Sequence, residues 1–181
     1  MNYSLCFLFF FFCSVATAQK TENVYRINFL SPGIEAEIST GKSSTFSANA
    51  GITYIGSYPH ISTSVPANTF LYSINPFLDI QEKLYYNLNK RTEKGKSAAN
   101  NSGNFVSIRN VTFFNSISSN FETYANLNFA VGPTWGFQRS SSKLHFLFDV
   151  GPQFYFDTKG HSGIWPVMIQ INLGLNLNPS Q

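Results

Sequence analysis

Charged and amide side chains recur at alternate positions of otherwise apolar segments: Glu35 and Glu37 in GIEAEIS, Asp79 and Lys83 in FLDIQEKL, Arg109 in NFVSIRNVTFF, Asp149 and Gln153 in FDVGPQFYFD. Gathered out of water, carboxylates, an ammonium and a guanidinium neutralise one another as a fixed network; strung in a line they could instead relay a proton or ion. The static network is the simpler expectation. Nucleophilic chemistry has one candidate, His60 beside Ser57, Ser62 and Ser64, where an imidazole could activate a hydroxyl for attack on a lipid ester. No acidic residue stands near it in sequence. The three histidines, His60, His145 and His161, fall in separate segments, and no HExxH, CxxC, GxSxG or phosphate-loop pattern occurs, so no metal or cofactor is expected. In KRTEKGK, Lys90, Arg91, Lys94 and Lys96 could hold anionic headgroups or an envelope protein partner, although a solvated turn screened by Glu93 is the simpler expectation. Asn100 and Asn110 begin NNS and NVT, which match a glycosylation sequon, and the match is read as accidental.

The segments that would carry these groups alternate with period two. Leu127, Phe129, Val131, Pro133, Trp135 and Phe137 share one face; Asn126, Asn128, Ala130, Gly132, Thr134, Gly136 and Gln138 share the other. Sustained alternation of this kind is the pattern of a strand with two unlike faces. The stretch FAVGPTWGF, Phe129 to Phe137, returns as FDVGPQFYF, Phe148 to Phe156, with SSSK between them as a hairpin turn. Opposed residues of a hairpin have numbers that add to a constant. Setting Pro133 against Pro152 makes that constant 285 and pairs Phe137 with Phe148, Trp135 with Val150 and Phe129 with Phe156. Two prolines at one level imply a weak place in the ladder and a local bulge, since neither has an N–H to donate.

The same alternation runs through STFSANAGITYI, LYSINPFLDIQEKLYYNL and VMIQINLGLNLN. Glu82 interrupts the apolar face of the second of these and is expected near a membrane boundary if these segments form a membrane barrel. In NVYRINFLSPGIEAEIS the apolar phase changes partway, which requires either a turn at Ser31 and Pro32, giving eight strands, or a bulge, giving seven. Loop lengths favour eight. One end would then hold the connections 40–43, 88–103 and 140–143, and the other end 56–68, 115–120 and 158–163.

Residues 1–18 read as a secretory signal, a short apolar run ending in small residues and cleaved after Ala18. Both cysteines, Cys6 and Cys13, lie within it, so residues 19–181 have no thiol for a disulfide or metal. Twelve Lys and Arg against nine Asp and Glu leave no concentrated basic face for a nucleic acid.

These features together predict an all-β, antiparallel up-and-down transmembrane β-barrel after a cleaved signal peptide. It would be a single domain over residues 19–181, monomeric, lying in the outer membrane against lipid, with a packed lumen and no open pore. The polar face argues for a membrane, because it mixes small residues with a few mutually neutralising charges and lacks the dense Lys and Glu of a water-facing wall. Two other readings stay open: a barrel hydrolase that modifies lipid, and a soluble periplasmic barrel that binds an apolar ligand. The chain resembles small outer-membrane β-barrel proteins of Gram-negative bacteria, of the broad OmpA/OmpX type, and its turn Tyr85 to Ser107 and its GPTWGF and DVGPQFYFD strands resemble those of uncharacterised families of such exported barrels. The resemblance implies a barrel architecture and a structural or surface-binding role, and no particular chemistry.

Overall fold

The computed structural model describes residues 21–55, 70–121 and 125–178. The expected signal segment and the group His60, Ser57, Ser62 and Ser64 lie outside these residues. Among the described residues nine strands form one antiparallel sheet: β1 Val24–Asn28, β2 Gly33–Ser39, β3 Ser44–Ile55, β4 Ser73–Tyr85, β5 Asn104–Phe113, β6 Ser118–Ser119, β7 Asn128–Ser141, β8 Leu144–Asp157 and β9 Ser162–Asn176. Each strand from β1 to β5 pairs with the next; β5 then pairs with β7, β7 with β8 and β8 with β9, and β9 returns to β1. The pairings therefore close a ring through eight strands, and β6 only extends the edge of β4 from within the 115–120 connection. The phase change in the first segment is a turn at residues 29–32, with Asn28 facing Gly33 across it. β1 and β2 are short, five and seven residues, so the wall is lowest there and tallest along β7 to β9.

Alternation decides which side chains enter the ring. Polar positions such as Arg26, Glu37, Asn49, Asp79, Gln138 and Asn172 are buried inside, whereas their apolar neighbours Ile34, Ile108 and Ile169 stand outside at 67, 59 and 57 % exposure. Glu82 points outward and is exposed near the end of β4, between Phe46 and Ile108 on the flanking strands. Two small apolar clusters sit inside, one at each end: Tyr85, Leu88, Phe105 and Leu147 at one, Phe77, Val111 and Phe113 at the other.

The hairpin β7–β8 keeps the constant 285 along its length, from Phe129 against Phe156 to Phe137 against Phe148. The ladder is interrupted between Val131 and Trp135, opposite Val150 to Phe154. Here the repeated Val-Gly-Pro answers itself across the hairpin. A Cβ on Gly151 would stand 2.0 Å from the carbonyl oxygen of Pro133, and one on Gly132 would stand 2.2 Å from that of Pro152. Each proline lacks a donor, and each oxygen instead approaches the glycine that precedes the other proline. The expected bulge lies on the far side of β8: Gly151 faces Met168 but Gln153 faces Trp165, so Pro152 meets two residues, Pro166 and Val167.

The 88–103 connection is a folded cap. It contains helix α1, Leu88–Glu93, and a short 3-10 turn, Ala99–Asn101, in which Asn100 and Asn101 take positive φ of 51° and 59°. Asparagine tolerates that region better than most residues. Leu88 enters the ring beside Phe105, while Asn100, Asn101 and Ser102 are buried. The N-terminal strand is tied to the cap, since Asn100 N donates to Glu22 Oε2 at 2.9 Å and Glu22 N donates to Asn101 Oδ1 at 2.8 Å.

Candidate functional site

The buried polar residues divide into two layers. The layer nearer the cap is centred on Glu37, which has no exposed surface. Arg26 on β1 donates from Nη1 to Glu35 Oε1 at 2.9 Å and Glu37 Oε2 at 2.5 Å. Lys83 Nζ on β4 lies 3.6 and 3.9 Å from those two oxygens. The other Glu37 oxygen accepts from Thr45 Oγ1 at 2.7 Å and Tyr85 OH at 2.6 Å. Two carboxylates thus meet two cations, and the remaining lone pairs are satisfied by hydroxyl and amide groups, which is the condition under which buried charge is tolerated. Lys83 also sits 5.4 Å from the centre of the Phe105 ring. Gln138 links the layer to the cap, donating from Nε2 to Glu37 Oε2 at 3.2 Å and to the Asn100 carbonyl at 3.4 Å.

The second layer is centred on Arg109. Its Nε and Nη2 grip both oxygens of Asp79 at 2.7 to 3.1 Å, and its Nη1 lies 3.5 Å from Asp149 Oδ1. Gln81 Nε2 donates to Asp149 Oδ2 at 3.1 Å, and Gln170 Nε2 to Asp79 Oδ2 at 3.1 Å. One guanidinium therefore serves two carboxyl groups.

Of the residues singled out in the sequence, Glu35, Glu37 and Lys83 meet in the first layer, and Asp79, Arg109 and Asp149 in the second. Gln153 is buried on the same inner face but joins neither; both its amide atoms lack a partner among the described residues, as do both ring nitrogens of buried His145. Lys90, Lys94 and Lys96 are exposed on the cap, whereas Arg91 is half-buried and donates to the Ser97 carbonyl at 2.8 Å. Arg26 escaped the sequence reading although it stands at the centre. Its signal was present, because it alternates with Tyr25 and Ile27, but only two apolar neighbours flank it on so short a strand.

Beyond the Arg109 layer, toward the end opposite the cap, the side chains of the described residues do not fill the ring. A cavity of about 400 Å³ lies there, floored by Asp79, Arg109 and Gln170 and walled by Phe113, Tyr155 and Trp165. Tyr155 and Trp165 stack with centroids 5.0 Å apart. Asp157 lines the same cavity at its rim; its carboxylate accepts from the backbone N–H groups of Lys159 and His161 at 2.8 and 3.0 Å. Among the described residues no cluster of three His, Cys, Asp or Glu could hold a metal ion. No family model, curated protein or solved structure matches the chain.

Proposed function

We propose that the chain is an outer-membrane β-barrel with a structural or surface-binding role and no open pore, of the OmpA/OmpX type that its sequence resembles, exported by the segment 1–18. The observation that carries this reading is the polarity of the ring: charges and amides fill the inside, while Ile34, Ile108, Ile169 and Ile171 stand bare on the outside. In water such a surface would expose a continuous apolar band far larger than monomers tolerate. In hydrocarbon the band is the favourable face, and the pairings run on through eight strands and return from β9 to β1. A soluble barrel carrying an apolar ligand needs the opposite polarity.

Further support comes from the distribution of aromatic rings. Tyr25, Tyr86 and Trp135 stand outside toward the cap end, where Trp135 Nε1 donates to Tyr86 OH at 2.8 Å. Tyr54, Phe70 and Phe154 stand outside toward the other end, with Phe129 stacked on Phe156. Aliphatic residues and the prolines occupy the middle, an arrangement that suits two interfaces and a hydrocarbon core. Even the β1–β2 turn is apolar, with Phe29 and Leu30 exposed, as befits a low stretch of wall that ends within the bilayer. The Arg26–Glu37 layer and the cap both obstruct the ring, which accounts for the absence of a pore. Cell fractionation with heat-modifiable gel mobility tests the proposal: an outer-membrane fraction and a band that shifts on boiling are expected, and an aqueous periplasmic protein with no shift would refute it.

A further inference from the structure

We infer that the cavity opposite the cap is a binding site for a small primary amine carried on an aromatic or branched apolar body. Three observations point to that class. The first is the space itself. Small rings of strands normally fill their interior with side chains, and this one does so through both polar layers before leaving about 400 Å³ open, within the range of small-molecule sites. Its walls are aromatic and apolar, Phe113, Tyr155, Trp165 and Met168 among them.

The second observation is charge. Among the described residues that line the cavity are two carboxylates, Asp79 at the floor and Asp157 at the rim, and one cation, Arg109. Behind Arg109 lies Asp149, fully buried and 3.5 Å away, so the guanidinium is already shared between two acids. Asp79 is held by Arg109, and Asp157 Oδ2 lies 2.8 Å from His161 Nδ1; an anionic head would still add to the acids gathered around one guanidinium, whereas an ammonium would offset them. Among the described residues, the connection 158–161 at this end carries one Lys or Arg, Lys159. The third is hydrogen-bonding capacity. Gln170 commits its Nε2 to Asp79, and its Oε1 accepts nothing among the described residues. A head that donates several hydrogen bonds suits an acceptor-rich floor, and the Tyr155 and Trp165 faces can share the ammonium charge.

The inference rests on the cavity and is independent of the membrane reading. The chain has two tryptophans, Trp135 and Trp165, so Trp135→Phe leaves Trp165 as a reporter inside the site. The folded variant, in bilayer nanodiscs or in buffer if it stays soluble there, is titrated with 2-phenylethylamine, 2-phenylethanol and 3-phenylpropionate, which share a body and differ in the head. The expected result is a saturable change in Trp165 emission with the amine, at a half-saturation at least tenfold below that of the other two. Asp79→Asn should weaken the amine at least tenfold. Val111→Phe, which fills the cavity without touching its charges, should abolish the response and serves as the arbiter if Asp79→Asn does not fold. No saturable response, equal binding of the three probes, or amine binding that survives Val111→Phe would overturn the assignment.

Discussion

Arg26 carries the largest share of the interior. Its guanidinium is the nearest cation to both Glu35 and Glu37, and all three are buried. Removing one member of a buried ion pair typically costs about 3–5 kcal/mol, because its partners keep their charge without compensation. Arg26→Met should lower the urea midpoint of refolded protein accordingly. Replacing Arg26, Glu35, Glu37 and Lys83 together by apolar residues of similar size should cost less than Arg26→Met alone, because no unpaired charge remains. A quadruple variant less stable than the single one would contradict this account of the layer. Gly151 makes an independent case: a valine there would place Cβ on the Pro133 carbonyl, so Gly151→Val should yield no band that shifts on boiling. At this scale the sequence was partly legible. Alternation marked Glu35, Glu37, Asp79, Lys83, Arg109 and Asp149 as one face, but it could not say which of them touch. Their division into two layers depends on strand stagger around the ring, which no single segment contains.

Among the elements, the hairpin β7–β8 was the most legible, because a repeated motif constrains its own register; the pairing of Trp135 with Val150 follows from opposing two prolines. The cap was the least legible. Residues 88–103 have no period and few apolar side chains, and their fold is held by partners far away in sequence: Glu22, Gln138 and Ser140. The prolines allow a test at this scale. Restoring both donors with Pro133→Val and Pro152→Val should close the gap in the ladder, and amide exchange at positions 131 to 135 should slow relative to the parent. Unchanged exchange would mean that the bulge in β9, and not the missing donors, opens the seam. The cap's cations lie outside this logic. Replacing Lys90, Lys94 and Lys96 by Gln touches no buried partner and should shift stability by no more than about 0.5 kcal/mol.

Across the whole molecule the ring is turned inside out relative to a water-soluble barrel, with polar side chains buried inside and apolar ones exposed outside. Its two tryptophans stand on opposite sides of the wall. Trp135 projects outward, 43 % exposed between Val106 and Val150, whereas Trp165 lines the inner cavity. If the wall faces hydrocarbon, a quencher carried on lipid chains reaches one and not the other. The decisive measurement is fluorescence quenching by brominated phospholipids in two single-tryptophan variants, Trp165→Phe and Trp135→Phe, each refolded into vesicles. Strong quenching of Trp135 with little quenching of Trp165 is the predicted result; equal quenching of the two, or none of Trp135, would contradict the membrane-facing wall.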